Sequence, residues 1–314
     1  MDKTAAVFTG NSNPDVAKKI VKYLNMPLGK ALVRTFSEGE IQVKIDENIR
    51  GKDVFVVQST CPPPNNNLME LLILIDALKR ASARRITAVL PYFGYARQDR
   101  KDQPRVPITA KLIANLLTTS GTNRVLTVDL HAGQIQGFFD IPLDHLYAIT
   151  TFVSHFIKIK IKNLVVVSPD VGGIKMARAY AKKLYSPLAI VDKRRINGEE
   201  TEVMNILGEE EIKGRNVMIV DDIVATAGSL VEAASALKKR GAKDIYAAVT
   251  HPVLSGPAIK RIEDSVMKGI FVTDTIPLST EKAHKKIKVL SIAPLLAEAI
   301  KRIHNEESVS SLFD

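Results

Sequence analysis

Two adjacent carboxylates and a turn of small and hydroxyl residues lie together in the second half of the chain. Asp221 and Asp222 follow the apolar run 217–220, and residues 225–229 lead from them into a helix beginning near Ser229. Unpaired backbone amides at a helix start bind phosphate, and small side chains let the backbone approach it. Carboxylates accept hydrogen bonds from vicinal hydroxyls. This stretch predicts a sugar-phosphate site; the alternative is a strand-to-helix turn carrying a solvated acidic pair.

Acidic residues also follow two other apolar runs. Asp170 comes after residues 165–168, and Asp129 and His131 come after residues 125–128. A single histidine is more often structural than a ligand, yet Mg²⁺ needs few protein ligands when phosphates supply the others. We therefore expect His131 and Asp170 to be Mg²⁺ ligands. Zinc is not expected, because no cluster of Cys and His has the required spacing.

Clusters of basic residues follow two more apolar runs. Arg97, Arg100 and Lys101 lie just after a group of aromatic residues, which suits a polyphosphate with a flat base attached; a solvated basic loop is the alternative. Residues 193–195 are all basic and precede the polar stretch 197–200, which is typical of a movable loop. Residues 36–40 offer an aromatic face and acceptors that suit a purine and its ribose.

Short apolar runs alternate with amphipathic stretches along the whole chain, and these elements must position the polar residues. The absence of strict alternation within the runs is typical of buried parallel strands. Strand alternating with helix predicts doubly wound parallel α/β domains, whose ligands bind at the carboxyl ends of the strands. Asn13 and Pro14 predict the start of the first helix. The predicted strands are 6–9, 54–58, 86–90, 125–129, 164–168, 189–191, 217–220 and 245–250, and the predicted helices are 14–24, 68–83, 108–118, 173–184 and 230–239.

Length and composition narrow the class of protein. At about 150 residues per domain, 314 residues predict two domains, and a net charge of +10 favours anionic ligands. We expect no nucleic-acid partner, because aromatic residues make up only 5% of the chain and no docking motif is present. No apolar run is long enough to span a membrane, and the P-loop and the dinucleotide-binding glycine motif are both absent. The single cysteine, Cys61, and the polar N-terminus predict a cytoplasmic protein with no disulfide.

Several long motifs, in the same order, resemble those of the class I ribose-phosphate diphosphokinases, also called phosphoribosyl diphosphate synthases. They lie at residues 36–40, 95–101, 129–139, 220–230 and 291–296. The resemblance implies two domains of phosphoribosyltransferase-like fold, over residues 1–147 and 148–292, with a C-terminal helix at 293–314 that packs back on the first domain. It also implies a Mg²⁺-dependent enzyme of nucleotide biosynthesis. Such an enzyme transfers the β,γ-diphosphoryl group of ATP to the 1-hydroxyl of ribose 5-phosphate and releases AMP.

The same resemblance implies roles for individual residues. Lys193 and Arg195 would stabilise the transferring group, and His131 and Asp170 would bind Mg²⁺. The ATP site would consist of Phe36, Glu38, Glu40, Arg97, Gln98, Asp99 and Lys101, partly across a subunit interface. The ribose 5-phosphate site would consist of Asp170, Asp221, Asp222, Thr226, Ala227, Gly228 and Ser229. The family further implies a homo-oligomer, a hexamer assembled from dimers, with inorganic phosphate and ADP as regulators.

This chain departs from the family pattern at three positions. Ala225 replaces a usual Asp in the sugar-phosphate turn, Glu38 replaces an Asp, and Ser229 replaces a Thr. The last two changes keep the charge or the hydroxyl, whereas Ala225 removes a carboxylate. Two alternatives therefore stay open beside the active enzyme. One is a non-catalytic subunit associated with such an enzyme, and the other is a salvage phosphoribosyltransferase that shares the 221–229 turn.

Overall fold

The structure is a computed structural model that describes residues 1, 4–197 and 200–312, and the side chains of these residues outside 193–204. It contains two compact units. Unit 1 consists of Met1–Tyr147, Thr275–Pro277 and Ser291–Asp314, and unit 2 consists of Ala148–Asp274 and Leu278–Leu290. The division differs from the expected second domain, 148–292, because the chain enters unit 1 briefly at residue 275 and returns to it at residue 291. Every helix in the described part of the chain is too short or too polar to cross a bilayer.

Unit 1 is built on a parallel sheet with strand order β1-β4-β5-β6-β7, beside a separate antiparallel hairpin of β2 and β3. The side chains of β4 are all buried, as expected for a parallel strand covered on both faces. The strands are β1 (Ala5–Thr9), β2 (Ala31–Thr35), β3 (Ile41–Ile45), β4 (Asp53–Val57), β5 (Arg85–Leu90), β6 (Arg124–Val128) and β7 (Leu143–Leu146). The helices are α1 (Pro14–Tyr23), α2 (Pro64–Arg80), α3 (Thr109–Ser120) and, near the C-terminus, α8 (Ala293–His304).

Helices α1 and α8 pack against each other in unit 1. The predicted cap of α1 is confirmed, because the side chain of Asn13 accepts a hydrogen bond from the Val16 amide and Pro14 is the first helical residue. Helix α8 buries Leu296, Ala297, Ala299, Ile300 and Ile303. The expected helix over 293–314 is too long: α8 ends at His304, and residues 310–312 form a separate 3₁₀ turn.

Unit 2 contains a sheet of order β10-β9-β8-β11-β12-β13-β14, in which β10 alone of the described strands is antiparallel to its neighbour. After β8, the chain first adds β9 on one side and later adds β11 on the other. This reversal is a topological switch point, where ligands of open α/β sheets bind. The strands are β8 (Leu164–Ser168), β9 (Leu188–Asn197), β10 (Glu200–Leu207), β11 (Asn216–Val224), β12 (Ile245–Pro252), β13 (Gly269–Thr273) and β14 (Ile287–Leu290). The helices are α4 (Ile149–Ile159), α5 (Ile174–Lys183), α6 (Gly228–Lys239) and α7 (Ala258–Asp264).

Candidate functional site

The acidic residues predicted to bind the sugar lie at the switch point of unit 2. Strand β8 ends at Ser168, just before Asp170, and β11 carries Asp221 and Asp222 beyond the last residue that pairs with β8, Ile219. The polypeptide therefore delivers three carboxylates to the carboxyl edge of two neighbouring strands. Asp221 and Asp222 are partly buried, and Asp170 is exposed.

The electrostatics of Asp221 show that these carboxylates act on one another. Burial raises the pKa of Asp221 well above its ordinary value of 3.8, and the negative charges of Asp222 and Asp170 raise the pKa further. The Asp222 amide donates a hydrogen bond of 2.9 Å to the Asp221 carboxylate, which acts in the opposite direction. The fold therefore carries a repulsive acidic cluster here. Hydroxyl donors or a cation placed at the cluster would offset that repulsion.

The turn after the acid pair has a backbone conformation that exposes amide groups. Ala227 has a φ of 61°, in the left-handed region that residues with a Cβ rarely adopt, and α6 begins at the next residue. The loop after β12 stabilises this turn with two backbone hydrogen bonds. The Ser255 amide donates to the Ala225 carbonyl at 2.9 Å, and the Leu254 amide donates to the Val224 carbonyl at 3.0 Å. Because α6 is twelve residues long, its N-terminal amides and dipole make this turn a favourable place for an anion.

Asp170 also organises the turn that follows β8. Its side chain accepts a hydrogen bond of 3.0 Å from the Gly173 amide, and its carbonyl accepts one of 2.6 Å from the Ser168 hydroxyl. A Cβ on Gly173 would lie 2.8 Å from that hydroxyl oxygen, so a side chain there would displace the Ser168 hydroxyl from the Asp170 carbonyl. The carboxylate of Asp170 is thereby held in place at the start of α5.

The structure changes the expectation for the basic cluster at residues 193–195. The predicted strand 189–191 continues as β9 to Asn197 and pairs with β10. The backbone of Lys193 and Arg195 therefore belongs to a hairpin rather than to a loop beyond a strand. The side chains of both residues lie outside the described part of the structure.

In unit 1, the residues expected to bind a purine occupy the turn of the β2–β3 hairpin. Phe36 and Glu40 close the turn through a backbone hydrogen bond of 2.8 Å, and Gly39 supplies its left-handed residue with a φ of 98°. Glu38 and Glu40 are exposed, and the guanidinium of Arg34 lies 5.6 Å from the centre of the Phe36 ring. The hairpin thus presents one aromatic ring and two carboxylates to solvent.

The predicted ATP-binding segment after β5 is anchored at its polar residues. Gln98 accepts a hydrogen bond of 2.5 Å from the Thr109 hydroxyl, and Asp99 accepts one of 2.9 Å from Gln134. Arg97 and Lys101 are exposed. The contact of Gln134 with Asp99 was not predicted, although Gln134 lies in the motif 129–139, because nothing in the sequence pairs the two residues.

His131 is exposed at the carboxyl edge of the same sheet, after β6. The preceding amide, that of Leu130, donates a hydrogen bond of 2.9 Å to Nε2 of the buried His145. His131 belongs to unit 1, and Asp170, the other expected metal ligand, belongs to unit 2. Among the described side chains, no group of three or more His, Cys, Asp or Glu residues could hold a metal ion by itself.

The parallel sheets and the acid pair that leads into an anion-binding turn define a phosphoribosyltransferase-like α/β protein. Residues 5–121 match the N-terminal domain of ribose phosphate pyrophosphokinase, and residues 195–314 match the phosphoribosyl synthetase-associated domain. The chain belongs to the ribose-phosphate pyrophosphokinase family. The family, the fold class and the enzyme class predicted from the sequence are thereby confirmed.

Full-length relatives and a solved structure support the assignment of the chain to this family. A ribose-phosphate pyrophosphokinase from Ralstonia nicotianae is 58% identical over 98% of this chain and 97% of its own length. One from Campylobacter jejuni is 56% identical over 98% of both chains. The crystal structure of phosphoribosylpyrophosphate synthetase from Mycobacterium smegmatis covers 97% of this chain and 100% of its own, with 41% identity and a TM-score of 0.90. The similarity therefore extends over both units.

Proposed function

We propose that this chain transfers the β,γ-diphosphoryl group of ATP to the 1-hydroxyl of ribose 5-phosphate, which yields AMP and 5-phospho-α-D-ribose 1-diphosphate. The observation that carries the proposal is the acidic cluster at the switch point of unit 2, which runs directly into the left-handed turn at the start of α6. An acid pair beside an anion-binding turn suits a molecule that has vicinal hydroxyls at one end and a phosphate at the other.

The ribose 5-phosphate end of the reaction is assigned to unit 2. Asp221 and Asp222 accept hydrogen bonds from the ribose hydroxyls, which replaces their mutual repulsion by charge-assisted hydrogen bonds. Asp170 lies at the neighbouring strand end. The amides and hydroxyls of Thr226, Ala227, Gly228 and Ser229 bind the 5-phosphate. The absent carboxylate at Ala225 leaves this turn less negative toward the phosphate.

The ATP end of the reaction is assigned to unit 1. The exposed ring of Phe36 stacks on the adenine, and Glu38 and Glu40 accept from its amine or from the ribose. Arg97 and Lys101 bind the triphosphate, whose charge they offset. The anchored positions of Gln98 and Asp99 support a segment that is shaped before ATP binds.

Mg²⁺ is assigned to His131 and Asp170. When bound with ATP, the ion supplies charge neutralisation at the phosphates. Mg²⁺ needs few protein ligands when phosphate oxygens supply the others, which supports an ion that binds together with its substrate.

The chemical step requires in-line attack by the 1-hydroxyl of ribose 5-phosphate on the β-phosphorus of ATP, with AMP as the leaving group. Phosphoryl and diphosphoryl transfer depend on positioning and on neutralisation of the spread negative charge more than on covalent catalysis. Lys193 and Arg195 in β9 are assigned to that charge, because β9 neighbours β8 at the switch point. The proton of the attacking hydroxyl passes to solvent or to the phosphate oxygens.

The decisive test is release of AMP by the purified protein given ATP, Mg²⁺ and ribose 5-phosphate. Omission of ribose 5-phosphate is the control, because a simple ATPase would release ADP without it. Absence of AMP both with and without inorganic phosphate would contradict the proposal and favour a non-catalytic associated subunit. Consumption of a free purine or pyrimidine base with phosphoribosyl diphosphate would favour a salvage phosphoribosyltransferase.

A homo-oligomer, a hexamer assembled from dimers, is part of the proposal. Leu112 and Leu116 on α3, and Ile108 just before it, are exposed at helical spacing, which supports burial of this face against another copy. Analytical ultracentrifugation would test the hexamer.

We also propose inorganic phosphate and ADP as regulators. A cytoplasmic location is proposed as well, because it suits a chain with a single, buried cysteine.

A further inference from the structure

An arginine outside every motif considered above lies against the anion-binding turn of unit 2. Arg261, on α7, is 35 positions away in sequence from Thr226, and its Nη1 donates a hydrogen bond of 3.1 Å to the Thr226 carbonyl. The same Nη1 atom lies 3.2 Å from the place where a Cβ on Gly228 would be. The absence of a side chain at Gly228 therefore lets the guanidinium approach the backbone of the turn closely.

The hydrogen bond from Arg261 controls the direction of one amide. The carbonyl of Thr226 and the N–H of Ala227 belong to the same planar trans peptide and point in opposite directions. When Arg261 holds the carbonyl on its own side, the Ala227 N–H must face the other side of the turn. The φ of 61° at Ala227 is a strained conformation for a residue with a Cβ. The bond from Arg261 helps to offset that strain.

The positive charge of Arg261 can also act on an anion bound at the turn. Its neighbour Lys260 forms ion pairs with Glu263 and Asp264, at 3.9 and 3.1 Å. Among the described side chains, Arg261 forms no ion pair and is exposed. A positive charge that is not neutralised by a carboxylate therefore lies beside the backbone that is assigned to a phosphate dianion. Its electrostatic effect has the same sign as that of the α6 dipole.

We propose that Arg261 is a positioning residue for the 5-phosphate of ribose 5-phosphate: it orients the Ala227 amide toward the phosphate and adds positive potential at the turn. This inference rests on the proposed function of the turn as the 5-phosphate site. It assigns to Arg261 no contact with ATP and no part in the transfer step itself.

Steady-state kinetics of Arg261→Ala test the inference. We expect the KM for ribose 5-phosphate to rise about tenfold, the effect of losing one hydrogen bond in a charged network, while the KM for ATP changes less than about twofold. Arg261→Lys, which keeps the charge but not the planar fork, should give a smaller rise. Lys260→Ala, on the same helix but directed at Glu263 and Asp264, is the matched control and should leave both constants unchanged. A purely structural role for Arg261 would change both KM values together.

Binding measurements separate failure of this inference from failure of the proposed function. Calorimetric titration with ribose 5-phosphate should show weaker binding to Arg261→Ala than to the unaltered protein, whether or not AMP is released. Equal binding and equal KM in an active enzyme would overturn the role of Arg261 alone. Absence of ribose 5-phosphate binding to the unaltered protein would overturn both. If Arg261→Ala does not fold, Arg261→Lys and Arg261→Gln answer the same question.

Discussion

Replacement of Asp221 by Asn should stabilise the protein and weaken its function at the same time. In the folded chain the Asp221 carboxylate is partly buried beside Asp222 and Asp170, and burial and these charges raise its pKa. Asn keeps the shape and one acceptor oxygen but removes the charge. A buried polar group with incomplete compensation costs about 1 to 3 kcal/mol. Removal of the charge should therefore raise the unfolding temperature by roughly 2 to 5 °C.

The raised pKa of Asp221 also determines how the stability difference between the two proteins should change with pH. Because the pKa of Asp221 is higher in the folded than in the unfolded protein, the folded state binds more protons between the ordinary value of 3.8 and the raised pKa. The unaltered protein should lose stability as the pH rises through that window. Asp221→Asn should lack this loss, so the difference in unfolding temperature should be largest above the raised pKa and should shrink toward acid pH.

The assay compares thermal unfolding and the KM for ribose 5-phosphate across pH. Asp264→Asn is the matched control, because this aspartate is exposed and pairs with Lys260 at the surface, where an ion pair contributes about 0 to 1 kcal/mol. At neutral pH the KM of Asp221→Asn for ribose 5-phosphate should rise about tenfold. A folded Asp221→Asn protein that melts at or below the temperature of the unaltered protein at neutral pH would refute the argument that the cluster is repulsive.

Three further substitutions test the structure and the assigned roles: two should lower the stability of the protein, and one should lower its turnover. Arg85→Ala leaves the fully buried Asp53 with its His304 contact at 3.0 Å but without its two hydrogen bonds from the guanidinium, at 2.9 and 2.5 Å, and should cost about 1 to 3 kcal/mol in urea unfolding; an unchanged free energy of unfolding would contradict this. Gly94→Ala places a Cβ 2.3 Å from a backbone oxygen of the loop after β4 and should destabilise by about 1 to 3 kcal/mol, whereas Gly137→Ala, which meets no atom within 4 Å, should not. Lys193→Ala should lower kcat by about 10² to 10³ with less effect on ATP binding, and unchanged turnover in initial-rate assays would remove it from catalysis.

Most strands of the two parallel sheets could be predicted from sequence because they bury both faces, although β7 and the fully buried β13 were missed. The apolar runs at residues 54–58 and 164–168 correspond to β4 and β8, whose side chains are almost all buried. The β2–β3 hairpin was not predicted, since its strands are half exposed and short. Strand β14 has two exposed residues among four and no continuous apolar run. The extension of β9 was missed because its charged residues 192–195 are typical of a loop.

Some residues of the candidate site are neighbours in the sequence and could be predicted, whereas others come together only through the fold. Asp221, Asp222 and the turn that follows them are contiguous, so their juxtaposition follows from the chain itself. Asp170 joins them because the ends of neighbouring parallel strands share an edge, which the predicted fold class implies. Arg261 reaches the turn only through the packing of α7, and a single basic residue on a short helix carries no sequence signal.

The interleaved composition of unit 1 sets an order for biosynthesis. Its sheet leaves the ribosome early, but α8, which packs on α1, is made only after all of unit 2. During that interval the face of α1 that packs on α8 lacks its partner. Such surface is prone to aggregation and is a binding site for chaperones. The packing of unit 1 is therefore completed only by a late helix, and a fragment that ends at residue 147 lacks this helix.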